Sequence, residues 1–231
     1  MFYEFKIQDK FYHNYLFFYI DRFVYTSVDI ENDINKAISK NKKINLLEAF
    51  KYVLNIKNDI PDVWEIKELG DLINKNENVP EGFRRIVVNA GAKATFTPAK
   101  PIEIVQRLYL LEDNYKNVWC DLNTFEKEAM FHIEFMRIHP FEDGNKRTAK
   151  TILNRNLIYQ DEAPVIIDDE ETDIYYKFIN ERDYIGFAKF LEKKSKNELT
   201  NMVGLYKMLN NVPVDVEGNI LTKKKIKTQE D

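Results

Sequence analysis

Apolar residues recur at steps of three and four through most of this 231-residue chain, and this spacing limits the fold more than any other feature. The clearest stripe consists of Phe125, Ala129, Ile133 and Met136. It predicts an amphipathic helix over residues 121–138, with Asp121 or Asn123 as its N-cap. Pro140 limits this helix, because the residue before a proline is displaced from the helical conformation.

Similar spacing predicts that almost the whole chain is helical. The further predicted helices are 27–40, 44–56, 62–77, 102–111, 144–159, 171–179, 184–194 and 199–210. Residues 84–97 differ, because two β-prone runs flank a turn that contains Asn and Gly, and this pattern predicts a short hairpin. An isolated hairpin is marginal in water, so it must lean on the helices or serve as a mobile flap. The predicted fold class is all-α, a helical bundle with one short β-hairpin flap.

The composition is that of an ordinary water-soluble domain. Hydrophobic residues make up 44% of the chain, which is enough for a sizeable core. The formal net charge of −4 gives no basic footprint for nucleic acid, and residues 15–20, an apolar stretch near the N-terminus, are too short to span a membrane. Cys120 is the only cysteine, so no internal disulfide can form. We therefore expect a cytoplasmic protein that binds neither nucleic acid nor a membrane.

The segment 139–150 contains a predicted anion site. One helix is predicted to end at His139, and the next begins over residues 144–146. The N–H groups in the first turn of a helix have no helical partner, and together with the helix dipole they attract anions. Gly144 would let an anion approach the backbone closely.

Three side chains around this anion site complete a chemical inventory. Asp143 offers a hard oxygen ligand, suited to a Mg²⁺ ion that also holds phosphates. Arg147 can direct its guanidinium fork at phosphate oxygens, and His139 can take a proton near neutral pH. Singly, such residues are more common on surfaces, in turns or in cores. In this order they predict attack at a phosphorus centre.

This segment resembles the signature of the Fic family, His-x-Phe-x-Asp/Glu-Gly-Asn-Gly/Lys-Arg-x-x-Arg, at every position except the last. The resemblance covers about residues 20–196. It implies a nucleotidyltransferase that moves AMP from ATP, with Mg²⁺, onto a hydroxyl group of a target protein. His132, seven residues before His139, is predicted to be a packing residue rather than a catalytic one.

The resemblance implies a role for each matching residue. His139 would be the base that deprotonates the acceptor Ser, Thr or Tyr, and Asp143 would hold Mg²⁺. The predicted ATP and phosphate ligands are Gly144, Asn145, Lys146, Arg147, Lys150 and Asn180. The hairpin would be the flap that pins the target segment by strand addition. Its predicted target-binding residues are Thr95, Phe96 and Thr97.

Two positions depart from the commonest form of the signature. Position 146 is Lys, where most AMP-transferring relatives have Gly, and the Doc kinases of the same superfamily also carry Asn-Lys-Arg. A Doc-like kinase that transfers the γ-phosphate is therefore one alternative, although Gly144 follows the AMP-transferring pattern. Lys150 replaces a family Arg, so a point charge stands where a bidentate fork is usual. A helical interaction module without catalytic activity is the second alternative.

Residues 27–32 fit Ser/Thr-x-x-x-Glu-Gly/Asn, which resembles the inhibitory motif of Fic proteins. By this resemblance, Glu31 would pair with Lys150 or Arg147 and occupy the position of the γ-phosphate. The alternative is that Ser27 caps a surface helix and Glu31 is a solvated charge.

The expected domain organisation follows from the same resemblance. Its three parts are N-terminal helices at 1–80 with an inhibitory helix at about 27–40, a Fic core at 81–196 with the flap at 84–97 and the motif at 139–150, and a C-terminal helix and tail at 197–231. The expected partners are ATP and a protein substrate, which includes the enzyme itself. The oligomeric state, including a homodimer, is left open.

Overall fold

The structure is a computed structural model that describes residues 9–29 and 36–210. Over these residues the chain forms eight α-helices and no strand. The helices are α1 (Asp9–Asp29), α2 (Lys36–Leu54), α3 (Val63–Ile73), α4 (Ile104–Asp113), α5 (Thr124–Ile138), α6 (Asn145–Tyr159), α7 (Thr172–Glu181) and α8 (Tyr184–Asn210). Short 3₁₀ turns at Pro101–Glu103 and Asp169–Glu171 precede α4 and α7, and a π turn at Asn114–Val118 follows α4. The predicted all-α class is confirmed.

Helix α5 lies at the centre of the bundle, where it packs against α4, α6, α7 and α8. Its N-cap is Asn123, which forms a reciprocal capping box with Glu126, as the sequence allowed. Helix α6 is buried along nearly its whole length. A helix that is covered on all sides belongs to the core, so the signature segment between α5 and α6 is held by the most constrained part of the fold.

The hairpin predicted over residues 84–97 is not formed, and these residues are an irregular loop, here called the flap loop. Side chains and the loop before α6 take up several of its backbone groups. The N–H of Arg84 donates to the carbonyl of Pro140 at 2.9 Å, and the N–H of Thr95 donates to Oδ1 of Asn180 at 2.9 Å. These hydrogen bonds give backbone groups of the loop the partners that a β-ladder would otherwise supply.

The helices predicted at 184–194 and 199–210 are one continuous helix, α8. The polar residues between them led to the predicted break. Ser195 lies inside the helix, is buried and donates to the carbonyl of Ala163 at 2.7 Å. In isolation a serine favours the end of a helix. Here this buried hydrogen bond satisfies its hydroxyl inside the helix.

The predicted inhibitory helix at 27–40 begins on the last turn of α1 and ends on the first turn of α2. Glu31 lies outside the described residues. Helices α1 and α2 pack against each other, and Tyr19 of α1 donates a hydrogen bond of 2.9 Å to the carbonyl of Val165. None of the described helices is both long and apolar enough to cross a membrane.

Candidate active site

A buried aromatic ring anchors the loop between α5 and α6. Phe141 is only 1% exposed, and its ring lies against Gly70 of α3. A Cβ atom on Gly70 would lie 2.2 Å from the Phe141 ring, so only glycine permits this approach. Phe83 packs against the same ring, with ring centroids 5.6 Å apart. Phe141 therefore fixes the loop to the core.

His139 ends α5 in the left-handed conformation, with φ 54° and ψ 62°. This conformation costs a non-glycine residue roughly 1–2 kcal/mol, so the surrounding contacts must impose it. The Nδ1 atom of His139 lies 3.3 Å from the carbonyl of Met136. A carbonyl can only accept, so Nδ1 carries the proton and Nε2 carries the lone pair.

The charge state of His139 follows from its burial. Burial lowers its pKa from 6.5 to about 4, the hydrogen bond to Met136 opposes that change, and the nearby charge of Arg84 lowers the pKa further. Asp143 raises it slightly. The imidazole is therefore neutral at pH 7 and can accept a proton through Nε2.

The guanidinium of Arg84 holds the backbone around His139. Arg84 is 3% exposed and donates from Nε to the carbonyl of His139 at 2.7 Å. It also donates from Nη1 to the carbonyl of Ile86 at 2.7 Å, and from Nη2 to the carbonyls of Ala99 and Ile138. One buried side chain therefore joins the end of α5 to both ends of the flap loop.

The N-terminus of α6 has the form of an anion site. Gly144 has φ 80°, and a Cβ atom there would lie 2.8 Å from Oδ1 of Asn74. The first hydrogen bond of the helix runs from the N–H of Thr148 to the carbonyl of Gly144 at 2.9 Å, so the N–H groups of the preceding turn stand outside the helical ladder. Asn74 donates to the carbonyl of Asp143 at 3.0 Å. In the described part of the chain, its buried Oδ1 atom has no hydrogen-bond partner.

Asp143 and Arg147 are paired across the first turn of α6. Nη2 of the buried Arg147 donates to Oδ2 of Asp143 at 3.0 Å, and Oδ1 of Asp143 accepts from the N–H of Gly144 at 2.6 Å. The side chain of Asp143 is still 47% exposed. A half-exposed carboxylate beside a buried guanidinium and a helix N-terminus is suited to a cation that is itself bound to phosphates.

The structure brings five of the predicted site residues together on this loop. They are His139, Asp143, Gly144, Asn145 and Arg147. Lys146 lies half-buried on the same first turn of α6. Its predicted role at the phosphates remains a prediction.

Lys150 lies one turn deeper in α6 and faces the core. It is 4% exposed, and Nζ donates to the carbonyl of Ile167 at 3.0 Å. Burial and the neighbouring charge of Lys146 lower its pKa from 10.5 to about 7, against the opposing charges of Asp169, Asp168 and Glu171. Its predicted role as a phosphate ligand remains a prediction.

Asn180 contacts the flap loop with both ends of its side-chain amide. Nδ2 donates to the carbonyl of Lys93, and Oδ1 accepts from the N–H of Thr95, both at 2.9 Å. In the same loop, Phe96 lies under the guanidinium of Arg137 at 4.8 Å. The amide of Asn180 therefore orders the loop that carries the predicted target-binding residues. Its predicted contact with the nucleotide remains a prediction.

His132 is a packing residue, as predicted. It is 1% exposed, its Nε2 lies 2.8 Å from the hydroxyl of Tyr175, and burial lowers its pKa to about 3.

Sequence reasoning missed three residues that shape the site: Gly70, Asn74 and Arg84. A lone glycine inside a helical pattern was a signal for Gly70. Arg84 gave none, because all of its contacts described above are with backbone carbonyls.

Comparisons with known proteins agree with this geometry. Residues 57–157 match the model of the Fic/DOC family. The protein adenylyltransferase Fic of Aedes aegypti is 30% identical over 165 residues, which are 68% of this chain and 33% of that protein. The protein adenylyltransferase fic-1 of Caenorhabditis briggsae is 28% identical over 140 residues, which are 58% of this chain and 27% of that protein. The chain thus spans about a third or less of the length of these curated relatives.

Two solved structures share the fold. A Fic domain containing signaling protein from Bacteroides thetaiotaomicron superposes with a TM-score of 0.71 at 18% identity, over 87% of this chain and 91% of that one. Fic-1 from C. elegans superposes with a TM-score of 0.69 at 20% identity, over 82% of this chain and 64% of that one. At these identities the likeness concerns the fold alone. Family model, fold and site agree that residues 57–157 form a domain of the Fic/DOC family.

Proposed function

We propose that this chain is a protein adenylyltransferase, which transfers AMP from ATP to a Ser, Thr or Tyr hydroxyl of a protein. The observation that carries the proposal is the position of a neutral base, His139, five residues before the N-cap Gly144 of a helix whose N-terminus has the form of an anion site. The relatives named protein adenylyltransferases support the choice of AMP.

The proposed reaction is a displacement at the α-phosphorus of ATP. The acceptor oxygen forms a bond to that phosphorus, the bond to the bridging oxygen breaks, and pyrophosphate leaves. Nε2 of His139 takes the hydroxyl proton. The N–H groups at the start of α6 would donate hydrogen bonds to the transferred phosphate and so stabilise the negative charge that develops on it.

The site fits ATP together with Mg²⁺. Arg147 and the N–H groups at the start of α6 would hold phosphates, and Asp143 would be the carboxylate ligand of the ion. Mg²⁺ bound through one carboxylate usually keeps several waters, and the orphaned Oδ1 atom of Asn74 is an acceptor for one of them. The ion would neutralise charge on the phosphates.

We further propose that Glu31 keeps the free enzyme largely inactive. Thr26, on the last turn of α1, lines one cavity with Ile166 and Asp168, and Lys150 donates to the carbonyl of Ile167 between them. The last turn of α1 therefore lies beside the loop that contacts Lys150, the last position of the signature. The proposed partners are ATP and a protein substrate in the cytoplasm. The enzyme itself is one such substrate, and a homodimer is an assembly to be tested.

One experiment tests the transferred group. The full chain is incubated with ATP labelled at either the α- or the γ-phosphate, in wild-type and Glu31→Gly forms, with His139→Ala as the matched control. Protein-bound α-label that disappears in His139→Ala supports adenylyl transfer. Protein-bound γ-label alone would establish the Doc-like kinase, for which Lys146 is the specific reason.

The third outcome is that neither label is bound. Together with a lack of Mg-ATP binding in Glu31→Gly, it would leave the helical interaction module as the function. Lys146→Gly adds a further discrimination. Removal of the long cation opens the helix N-terminus to the α-phosphate, so α-label should stay equal or rise.

A further inference from the structure

Arg84 has a set of contacts that the chemistry described so far does not use. Its guanidinium is buried, and the contacts recorded for it are with the backbone carbonyls of His139, Ile86, Ala99 and Ile138. The N–H of Arg84 also donates to the carbonyl of Pro140, at 2.9 Å. Five hydrogen bonds from one residue therefore reach both ends of the flap loop and residues 138–140, which lie about 55 positions further along the chain.

These contacts surround the strained part of the site. His139 is held at φ 54°. The two peptide units that flank its Cα atom contain the carbonyls of Ile138 and His139, and both carbonyls accept hydrogen bonds from Arg84. A left-handed backbone at a non-glycine residue persists only where its surroundings fix it. The carbonyl of Pro140 is fixed from the same side. Arg84 is thus placed to impose the backbone conformation that aims the imidazole.

The other contacts of the fork lie at the flap loop. Nη1 donates to the carbonyl of Ile86 near the start of this loop, and Nη2 donates to the carbonyl of Ala99 just beyond its end. The planar fork of arginine can hold several acceptors in fixed relative positions, which a lysine ammonium cannot do. The same guanidinium therefore holds both the ends of the flap loop and the backbone that orients the imidazole.

We propose that Arg84 is a positioning residue for His139, and that it couples the orientation of the imidazole to the base of the flap loop. The inference rests on the proposed adenylyl transfer, in which the imidazole is the base. Arg84 does not touch the reacting atoms. It acts through the backbone at residues 138–140, where small displacements of a catalytic group have large effects on rate.

The charges that face His139 give the proposal a second readout. Arg84 approaches from the flap loop and lowers the pKa of the imidazole, Asp143 approaches from the loop before α6 and raises it, and Glu142 interacts with Arg84. Arg84→Lys keeps a positive charge but loses the fork, whereas Arg84→Gln loses the charge as well. The two variants therefore separate orientation from charge.

The test uses the full chain in wild-type, Arg84→Lys and Arg84→Gln forms, with Arg85→Lys and Arg85→Gln as matched controls because Arg85 is exposed. Transfer of α-label, ATP affinity and thermal unfolding are measured for each. Arg84→Lys should transfer about 100-fold more slowly, with ATP affinity within about 3-fold of wild type, since orientation is lost while the nucleotide site is kept. A wild-type transfer rate in Arg84→Lys would overturn the proposal.

The ring signals of the three histidines in NMR spectra supply a readout that does not depend on activity. In both Arg84 variants the His139 signal should move, while the signal of the buried His132 stays in place. In Arg84→Gln the pKa of His139 should also rise, because a neighbouring positive charge is lost while burial still lowers the pKa, and in Arg84→Lys it should stay at its wild-type value. A His139 signal that stays in place in both variants would overturn the proposal, even if wild-type enzyme transfers AMP.

One measurement needs no variant. In the wild-type protein, the Nε–H of Arg84 should exchange with solvent much more slowly than that of Arg85, because it donates to the carbonyl of His139 in a buried position. Equal exchange rates would overturn the proposal if the variants fail to fold. If wild-type enzyme transfers no label, the proposed function fails, while the exchange and histidine spectra still decide the role of Arg84.

Discussion

The side-chain amide of Asn145 makes two reciprocal hydrogen bonds of 2.9 Å with the backbone of Phe141. Oδ1 accepts from the N–H of Phe141, and Nδ2 donates to its carbonyl. The side chain therefore closes the signature loop as a backbone partner would, and this engages both polar atoms of its amide. The predicted contact of Asn145 with phosphate would thus be made by its backbone.

Asn145→Ala should destabilise the loop. The change leaves the buried N–H and carbonyl of Phe141 without partners, which costs about 3 kcal/mol of unfolding free energy. Urea denaturation measures the loss. Asn117→Ala is the control, because its side chain is exposed, and it should stay within about 0.5 kcal/mol of wild type. Equal stabilities of the two variants would contradict the closing role.

The low pKa of His139 predicts how the stability of the protein changes in acid. Because its pKa is about 4 when folded and 6.5 otherwise, the unfolded chain binds the proton first as the pH falls. The contribution is complete above pH 6.5 and is lost between pH 6.5 and 4, with a size of about 3 kcal/mol. In His139→Gln, that part of the pH dependence should disappear from urea melts. An identical acid slope in both proteins would show that the imidazole is not held neutral.

Asp143→Ala should weaken Mg-ATP binding at least about tenfold, because one carboxylate ligand and the partner of Arg147 are lost together. Isothermal titration in Mg²⁺, compared with titration in EDTA, measures the effect. Asp121→Ala serves as the control, since Asp121 is exposed. If Mg²⁺ improves ATP affinity equally in the variant and in wild type, Asp143 is not the metal ligand.

Lys150 predicts a stability change on the alkaline side. Its pKa is about 7 in the fold and 10.5 in the unfolded chain, so the unfolded chain holds the extra proton between these values. Stability should therefore rise with pH above 7, with a slope of at most about 1.4 kcal/mol per pH unit from this group. Lys150→Met should lack that rise in melts between pH 7 and 9. The same slope in Lys150→Met would mean that the ammonium is solvated.

Glu31→Gly should raise self-modification well above wild type if the Glu31 carboxylate obstructs the γ-phosphate position. Incorporation of α-label into the chain itself measures the change, and Glu31→Gln tests whether charge alone suffices. The double variant with His139→Ala should be inactive, which excludes a contaminating activity. An unchanged rate with ATP still bound would show that Glu31 does not inhibit the enzyme.

Local signals in the sequence account for much of the fold. Asn123, one of the two predicted N-caps, could be found from the sequence because its side chain bonds within three residues, and it forms a capping box in the structure. The turn from His139 to Gly144 could be predicted because Pro140 restricts the backbone and Gly144 permits a left-handed conformation. The contacts of Arg84 and Asn180 could not be predicted, because their hydrogen bonds join positions 55 and 85–87 residues apart and depend on how the helices pack. The absent hairpin has the same cause, since contacts from α7 replaced the expected ladder.

The contact between Gly70 and Phe141 has a consequence for how this sequence can vary. The tip of the ring fills the space that any side chain at position 70 would need, so this contact sets how closely the signature loop approaches α3. A larger residue at 70 fits only if position 141 shrinks at the same time. Single-step mutational paths between such pairs pass through a chain whose signature loop is displaced, so the two positions are expected to change together or not at all.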